Sequence, residues 1–424
     1  MDMAMKAIKL AAGTGSSVVI DACQTCGNSS LESVLFLGYM PPVNKMRRIG
    51  DVPEEQPSYP TNWLYCSRCE LVQLGLSVDP EILFPPDYPY TSGTTKILRE
   101  NFADLHRECC ALLSLGPDDL VIDIGSNDGT LLSNFKEHGH RVLGIEPTEV
   151  GRIALQRDIP TVIRYFRPEI ARQVRAEHGP ARVVTSTNCF AHIEDVHTIV
   201  DGIAQLLSPK GVFVSESHYL IGLLDRLQYD TIYHEHLRYY SLRSLKHLLE
   251  MHGLEVIHAH AIPTHGGSIR VFAAPKGAYP AQPSVSAMLA SEPSGAEMRA
   301  RLRQFRRDTM LSKLRLMAIL REVKETGARI CGISAPSRAS TLVNYVGLDD
   351  SIVDSVFEIS GSLKIGKYLP GTLIPVVEES RLFEEQPEYA ILLSWHIADE
   401  LASKLRQRGY RGKFIIPLPE PRIA

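Results

Sequence analysis

The stretch VIDIGSNDGT, residues 121–130, decides the fold. Its opening letters VIDI suit a buried strand, and its two glycines predict a tight turn into a helix that starts near Thr130. RVLGIE at 141–146 is the next strand candidate, and ARVVTSTN at 181–188 and GVFVSES at 211–217 follow farther along the chain. Because helical stretches separate these strands, they predict a doubly wound, mostly parallel α/β sheet.

The predicted sheet closes differently from the way it begins. LEVIHAHAI (254–262) and GGSIRVFAA (266–274) face each other across a short PTHG connection, which predicts an antiparallel hairpin. That ending is typical of the class I, Rossmann-like sheet of S-adenosylmethionine (SAM)-dependent methyltransferases. The predicted fold class is therefore α/β, with a class I methyltransferase sheet at its centre.

The glycine-bearing turn is the predicted cofactor site, because ligands of such sheets bind at the carboxyl ends of the strands. Gly125 and Gly129 would let the backbone approach a ligand closely. Glu146 lies 23 residues after Asp123 (146 − 123), where an acidic residue commonly accepts ribose hydroxyls. The residues assigned to the cofactor here are Asp123, Gly125, Ser126, Asn127, Asp128, Gly129 and Glu146.

The chemistry of this turn favours SAM over a dinucleotide. Ser126, Asn127 and Asp128 replace the middle of the G-x-G-x-x-G pattern. The Asp128 carboxylate would repel a pyrophosphate but tolerate an amino-acid moiety. A protein whose second sheet binds NAD remains the alternative. Asn188 and His192, in the NCFAH segment, should lie beside the cofactor on the same sheet edge. For these two side chains, a ligand contact and an ordinary strand-end hydrogen bond are equal interpretations.

Four of the eight cysteines form two C-x-x-C pairs. Cys23 and Cys26 make one pair and Cys66 and Cys69 the other, and two such pairs can hold one tetrahedral Zn²⁺ with no open position. A closed site of this kind is structural rather than catalytic. Two unrelated reduced pairs, or a redox C-x-x-C, are the alternative. The remaining cysteines are predicted to be small buried side chains: Cys109, Cys110, Cys189 and Cys331.

Size and composition narrow the class of partner. The chain has 424 residues, enough for two to three domains. Its formal charge is −4, and it has no Lys/Arg block comparable to a nucleic-acid footprint. No apolar run approaches the roughly 18 residues that span a bilayer, and the first residues do not make a convincing signal peptide. We expect a cytoplasmic protein with a small-molecule partner and no nucleic-acid or membrane partner. The sequence is compatible with a monomer and with a dimer.

The C-terminal third predicts a second, Rossmann-like α/β lobe. A stretch rich in Ala, Pro, Ser and Gly at 275–295 predicts a linker. A long charged helix from about Ala296 to Thr326 follows, and then come five short apolar runs: RICGISA, SIVDSVFEI, TLIPVVEE, YAILLSW and KFIIPLP. The predicted domains are a small N-terminal zinc-binding module at 20–86, a SAM-dependent methyltransferase domain at 87–275 and a substrate-binding lobe at 296–424.

YDTIYHEH, residues 229–236, follows a predicted strand and should lie in the loop over the cofactor's methyl group. A carboxylate beside an imidazole can hold the imidazole's tautomer and raise its basicity, as a general base near neutral pH requires. Taken alone, the cluster is equally consistent with a solvated polar loop.

Together, these motifs resemble the sugar C-methyltransferases that act on nucleotide-linked deoxyketosugars. The matching pieces are the two C-x-x-C pairs, YPYTSG, DIGSNDG, GIEPT, NCFAHI, YDTIYHEH, THGGSIR, TLVNY and KIGKYLPGT. The resemblance implies three parts that close around a nucleotide sugar, with SAM as methyl donor and a structural Zn²⁺. It also implies deprotonation next to the ketone, followed by methyl transfer to carbon.

The resemblance also implies roles for individual residues. His236 would be the base, Tyr233 and Glu235 would orient it or hold the substrate, and His192 would lie close by as part of the catalytic set. The residues implied for the sugar pocket are Tyr88, Tyr90, Ser92 and His265.

Two C-terminal segments depart from the family pattern. They are ISAPSRAST at 333–341 and FEISGSLKIGKY at 357–368. An O- or N-methyltransferase of another small molecule is therefore the alternative function. Cations at strand ends suit a diphosphate. The residues predicted to contact it are Arg338, Lys364, Lys367 and Tyr368. Ordinary surface charge is an equal interpretation of these residues.

Overall fold

A computed structural model of the chain describes residues 9–12, 15–54, 56–84 and 92–424. Within the last of these ranges, seven strands form the central sheet, in the spatial order Leu254–Ile262, Ser268–Pro275, Leu207–His218, Ala181–Thr187, Leu120–Ile124, Arg141–Ile145 and Thr161–Val162. Ser268–Pro275 runs antiparallel to both of its neighbours, whereas the pairings from Leu207–His218 to Thr161–Val162 are parallel. The predicted parallel sheet with a closing antiparallel hairpin is confirmed.

Helices cover both faces of this sheet. Successive side chains of a strand point to opposite faces, and in the central strands both sets are apolar and need to be buried. Val121 packs with Leu105 and Phe135 in one apolar cluster, while Ile122 belongs to the cluster on the other face. One face carries the helices Lys96–Leu113 and Thr130–Glu137, with the short helix Gly151–Gln156. The other carries Pro168–His178, Val196–Leu206 and Leu242–Met251, and Leu220–Asp225 follows the strand Leu207–His218.

The N-terminal module is built on a four-stranded sheet in the described part of the chain. Three of its strands are Leu31–Met40, Tyr59–Cys66 and Val72–Leu74, and the fourth is Arg238–Tyr239, which comes from the central domain. Arg238 and Tyr239 pair with Gln73 and Val72. A smaller sheet joins Lys9–Ala12, Gly15–Val19 and Leu76–Val78, and the helix Pro80–Leu83 follows. The segment that contains the predicted base is thus attached to the module.

A long helix, Gly295–Glu325, connects the three parts of the chain. Its 31 residues make it about 46 Å long. The Phe305 ring lies 5.4 Å from that of Trp63 in the module. Arg301 pairs with Asp225 of the central domain, and farther along, the Lys313 side chain donates to a main-chain carbonyl of the C-terminal lobe. The predicted helix 296–326 is confirmed to within one residue at each end.

The segment predicted as a linker contains a helix, Pro283–Ser291. It packs against the strand Leu254–Ile262: Val285 is buried, and the amide of Gln282 donates to the carbonyl of Ile257. The Pro- and Ala-rich composition suggested a flexible connection. However, a proline at the first helical position has its φ preset for a helix and lacks only an amide that would have no intrahelical partner.

The C-terminal lobe has a six-stranded sheet, all of it in the fully described range 92–424. In spatial order, its strands are Val376–Glu378, Val356–Glu358, Ile330–Ile333, Tyr389–Leu392, Lys413–Ile416 and Arg422–Ile423. The first five are parallel and the last pairing is antiparallel. Its helices are Ser337–Val346, Ser380–Glu385 and Ala398–Gln407. A second α/β lobe is confirmed. None of the described helices is both long and apolar enough to cross a lipid bilayer.

Candidate active site

The turn after the first strand of the central sheet is built for close approach of the backbone. Gly125 has φ +76°, and a Cβ at this position would lie 2.7 Å from the Cys189 sulfur. A side chain here would be both strained and sterically blocked. Gly129, with φ +77°, precedes the helix Thr130–Glu137, and Asn127 also has a positive φ of 50°. The turn therefore exposes main-chain groups at the carboxyl edge of the sheet.

The two aspartates assigned to the cofactor are already engaged inside the protein. Asp123 accepts a 2.6 Å hydrogen bond from the hydroxyl of Thr185 on the neighbouring strand, and burial raises the pKa of Asp123 to about 7. Asp128 accepts hydrogen bonds from the amide and hydroxyl of Thr130, at 3.2 and 2.7 Å. It also accepts one from the amide of Gly93, at 3.1 Å. Both carboxylates shape the turn, and their contact with the cofactor stays a prediction.

Glu146 lies at the end of the second strand, next to the same turn. Its carboxylate accepts the amide of Asn127 at 3.0 Å and the amide and hydroxyl of Thr148 at 2.9 and 2.7 Å. The Asn127 side-chain oxygen in turn accepts the amide of Ser92 at 2.8 Å. The structure therefore brings Glu146, the glycine-bearing turn and Ser92 together at one edge.

Two polar side chains at this edge suit a bound ligand. Among the residues that the structure describes, the hydroxyl of Ser126 and the side-chain oxygen of Asn188 are buried without a hydrogen-bond partner. A buried polar group left unpaired costs about 1–3 kcal/mol. This edge therefore fits SAM. Contact of these two atoms with the cofactor stays a prediction.

A cluster of imidazoles lies next to the carboxyl edge of the central sheet, where the cofactor is predicted to bind. The ring of His236 lies 4.9 Å from that of His192 and 4.8 Å from that of His218, between ring centroids. The His218 ring is 5.9 Å from that of His265, and the Tyr233 ring is 4.1 Å from that of His236. Three of the four predicted catalytic residues, with His265 from the predicted substrate set, thus meet in one place.

The tautomer of His236 is fixed by the main chain. Its Nδ1 lies 2.7 Å from the carbonyl oxygen of Thr231, so Nδ1 carries the proton and Nε2 keeps its lone pair. Burial lowers the pKa of His236 to about 4, and nearby His265 and Arg338 act in the same direction. Burial also raises the pKa of the Tyr233 hydroxyl well above its usual range. Near neutral pH the pair is therefore a free imidazole and a protonated phenol.

The neighbours of His236 in the sequence face the N-terminal module. The Glu235 carboxylate accepts a 2.7 Å hydrogen bond from the Asn44 side chain, and the ring nitrogen of His234 lies 3.2 Å from the hydroxyl of Thr61. We expected a carboxylate to hold the tautomer of the base, but the carbonyl of Thr231 does so. Residues 228–240 are all buried, so the segment is not a solvated loop.

Arg338 of the C-terminal lobe is bound to a buried carboxylate of the central domain. Its guanidinium makes two 2.8 Å hydrogen bonds to Asp230, and the indole nitrogen of Trp395 donates to the same carboxylate at 2.7 Å. Another guanidinium nitrogen lies 3.3 Å from Nδ1 of His396. The charge of Arg338 is thus compensated by Asp230, and its contact with a diphosphate stays a prediction.

The other predicted diphosphate contacts lie where the C-terminal lobe meets the module. The amide of Tyr368 donates to the carbonyl of Arg47 at 2.8 Å. The main chains of Lys367 and Arg48 form an isolated antiparallel β-bridge. Lys364 donates to the carbonyl of Ala335 at 2.6 Å. Two further predicted substrate contacts, Tyr88 and Tyr90, lie outside the described residues.

The four paired cysteines converge on one point. The sulfurs of Cys23 and Cys69 are 3.4 Å apart and those of Cys26 and Cys66 are 3.5 Å apart, and all four lie within 4.8 Å of one another. A disulfide would require about 2.05 Å, whereas tetrahedral Zn–S bonds of about 2.3 Å place sulfurs about 3.8 Å apart. The donor set fits a structural Zn²⁺ with no open position.

Several residues of the site were not predicted from the sequence, namely the buried Asp230 and Trp395 and the half-buried His218 and His396. His218 ends the strand Leu207–His218 at the edge where ligands bind, and that position was a usable signal. Trp395 and His396 follow the strand Tyr389–Leu392 in the same way. Asp230 is recognisable only through its partner Arg338, which lies 108 positions away.

Known proteins match this chain over nearly its full length. Residues 23–84 match a zinc binding domain family, residues 96–259 a methyltransferase domain family, and residues 263–419 the C-methyltransferase C-terminal domain family. The C-methyltransferase NovU of Streptomyces niveus is 34% identical over 408 residues, which cover 95% of this chain and 97% of NovU.

Solved structures resemble this chain more distantly, over less than half of its length. A SAM-dependent methyltransferase from Clostridium acetobutylicum is 11% identical with a TM-score of 0.33, and the match covers 42% of this chain and 92% of that one. The PH0226 protein from Pyrococcus horikoshii is 16% identical with a TM-score of 0.37, and it covers 47% and 96%. These likenesses are too low to carry weight, so the assignment rests on the sequence relative and the family matches. The chain belongs to the SAM-dependent C-methyltransferases that have an N-terminal zinc-binding domain.

Proposed function

We propose that this C-methyltransferase acts on a nucleotide-linked deoxyketosugar, and that His236 removes a proton from the carbon next to the ketone. The observation that carries the proposal is the state of His236. It is buried, its Nδ1 is held by the carbonyl of Thr231, and its depressed pKa keeps Nε2 unprotonated. A carbon acid needs such a base, and carbon as the acceptor is supported by the match to the C-methyltransferases.

Under this proposal, deprotonation comes before methyl transfer. The C–H bond next to the ketone breaks, the proton goes to Nε2 of His236, and the electron pair remains on the substrate as an enolate. SAM supplies an electrophilic methyl group, to which the carbon forms its new bond as the methyl–sulfur bond breaks. The His236 imidazolium then passes its proton to water when the product leaves, because burial disfavours the charged ring.

A base of such low pKa requires strong stabilisation of the enolate. Tyr233 is placed to provide it, since its hydroxyl stays protonated and its ring lies 4.1 Å from that of His236. A hydrogen bond from a phenol to a developing oxyanion is strongest in a dry site. Under this proposal, His265 binds another polar group of the sugar. Its Nε2 is buried without a partner among the described residues.

A cavity near the C-terminal lobe supports the proposal that the substrate carries a nucleotide. This cavity of about 330 Å³ is lined by Arg226, Trp395, His396 and Arg422, among others. The two arginines suit a diphosphate and the indole suits a base or sugar face, but Asp399 and Glu400 also line the cavity, so the arginines have to outweigh two carboxylates. His396 also contacts Arg338, so the cavity lies next to the group that binds Asp230. We propose that the diphosphate occupies this cavity.

The test separates deprotonation from methyl transfer. The protein is incubated in D₂O with S-adenosylhomocysteine and a panel of nucleoside diphosphate deoxyketosugars, and NMR follows exchange of the protons next to the ketone. With the true substrate, the wild type should catalyse exchange, and His236→Gln should lower its rate at least 100-fold, the minimum expected for loss of a general base. SAM affinity, measured by calorimetry, should not change.

The matched control is His178→Gln, at the end of the helix Pro168–His178, where the ring lies 3.9 Å from the Glu177 carboxylate. It should exchange at the wild-type rate. Full exchange by His236→Gln would remove His236 from the role of base. A methyl ether or methylamine as product, detected by NMR with labelled SAM, would contradict carbon as the acceptor on the tested substrate.

A further inference from the structure

A second cluster of metal-binding side chains lies on the helix Lys96–Leu113, apart from the four paired cysteines. His106 and Cys110 are four residues apart on this helix, so they share one face. His140 approaches the same point from the turn that precedes the strand Arg141–Ile145. One nitrogen or sulfur atom from each of the three lies within 4.8 Å of the others. Cys110, predicted to be a small buried side chain, is half-buried and lies between two imidazoles.

The separations match those of ligands on a single ion. Nε2 of His106 is 3.3 Å from the Cys110 sulfur, and Nε2 of His140 is 3.9 Å from it. Tetrahedral geometry with Zn–S of about 2.3 Å and Zn–N of about 2.05 Å requires about 3.6 Å between sulfur and nitrogen. The two observed distances lie on either side of this value, so small side-chain rotations suffice to seat an ion.

The orientation of His140 is that of a metal ligand. Its Nδ1 lies 2.9 Å from the carbonyl oxygen of Gly116, so Nδ1 carries the proton and Nε2 turns its lone pair towards Cys110. A metal-bound histidine characteristically makes such a hydrogen bond with its other ring nitrogen, because it fixes the tautomer. His138 is in a similar state, with Nδ1 2.7 Å from the carbonyl of Asn134. The His138 ring centroid is 4.2 Å from that of His106.

We propose that His106, Cys110 and His140 bind a second Zn²⁺, with a water molecule in the fourth position. Two imidazoles and a thiolate are a donor set that zinc prefers over magnesium or calcium. His140 precedes the strand whose other end leads to Glu146, so the site lies at the edge of the sheet opposite to the cofactor. The ion would fasten the helix Lys96–Leu113 to the sheet and take no part in methyl transfer.

The first test is the zinc content of the full-length protein. It is purified from zinc-supplemented medium and dialysed against zinc-free buffer, and metal is measured by mass spectrometry. Two equivalents per chain are expected, one for each site. A single equivalent that does not rise on titration with ZnCl₂ would overturn the proposal whatever the variants do.

Variants locate the second ion. Cys110→Ser and His140→Gln should each bring the content down to one equivalent, whereas the control His178→Gln should retain two. Co²⁺ substitution adds a readout that folding alone would not change: the thiolate-to-metal absorption of the second equivalent should disappear in Cys110→Ser. Two equivalents in both variants, with that absorption unchanged, would show that the second ion binds elsewhere.

Discussion

Replacing Arg338 with leucine should destabilise the protein and slow catalysis together. Arg338 makes two 2.8 Å hydrogen bonds to Asp230, and the Asp230 side chain is fully buried. Leucine leaves a buried carboxylate that keeps the hydrogen bond from the indole of Trp395 but has lost its compensating charge. Removing one partner of a buried ion pair typically costs about 3–5 kcal/mol. Asp230 also directly precedes Thr231, whose carbonyl holds the proposed base, so the base should lose its fixed orientation.

Urea unfolding followed by tryptophan fluorescence measures the first effect, and Trp395 reports on the pair directly because its ring lies 4.8 Å from the guanidinium. We expect Arg338→Leu to lower the free energy of unfolding by about 3–5 kcal/mol. The double variant with Asp230→Asn should lose clearly less, since the buried charge is gone. A loss below about 1 kcal/mol, the range of an exposed ion pair, would refute the reasoning. So would a double variant as unstable as the single one.

Gly125→Ala should weaken SAM binding, measured by calorimetry, and lower the melting temperature, because the new Cβ would lie 2.7 Å from the Cys189 sulfur. The control is Gly139→Ala, where φ is similar at +86° but the space around a Cβ is open. Equal effects of the two substitutions would refute the steric reason. Burial depresses the pKa values of four imidazoles to about 3 or 4: His234, His236, His265 and His396. Because the unfolded value is about 6.5, the stability tied to each neutral ring is fully present above pH 6.5 and is lost as the pH falls towards 4. That loss is on the order of 3 kcal/mol per ring, so an unchanged urea midpoint between pH 7.5 and 4.5 would contradict it. Cys66→Ser should abolish zinc binding at the module and lower kcat with little change in SAM affinity; wild-type kcat in the zinc-free variant would make the metal irrelevant to the site.

Local patterns in the sequence were sufficient for most of the architecture. Val121, Ile122 and their neighbours form an apolar run that is buried on both faces, and this is why a central parallel strand can be predicted from its composition. The glycine-bearing turn follows from φ values that glycine favours. The paired cysteines follow from their spacing, which geometry confirms.

Features that depend on distant partners could not be predicted in the same way. The strand Arg238–Tyr239 has only two residues, and it exists because Val72 and Gln73 offer hydrogen bonds to it. Asp230 looks like one more charge in a polar segment until Arg338 is placed against it. The helix Pro283–Ser291 lies in a stretch whose composition suits a linker, and packing against the sheet decides its conformation. In each case tertiary contacts override the local preference.

The zinc-binding module contacts the segment that carries His236, the proposed base. Gln24 lies between the two cysteines of the first pair, and its side chain accepts a hydrogen bond from the guanidinium of Arg238. The main-chain amide of Gln24 also donates to the side-chain oxygen of Gln73 at 2.8 Å. Gln73 is the residue that pairs with Arg238 in the module sheet. Arg238 follows His236 by two positions. Because the ion fixes the loop that carries Gln24, its loss should loosen the chain on the C-terminal side of His236 while the cofactor turn, built from the central sheet, keeps its shape.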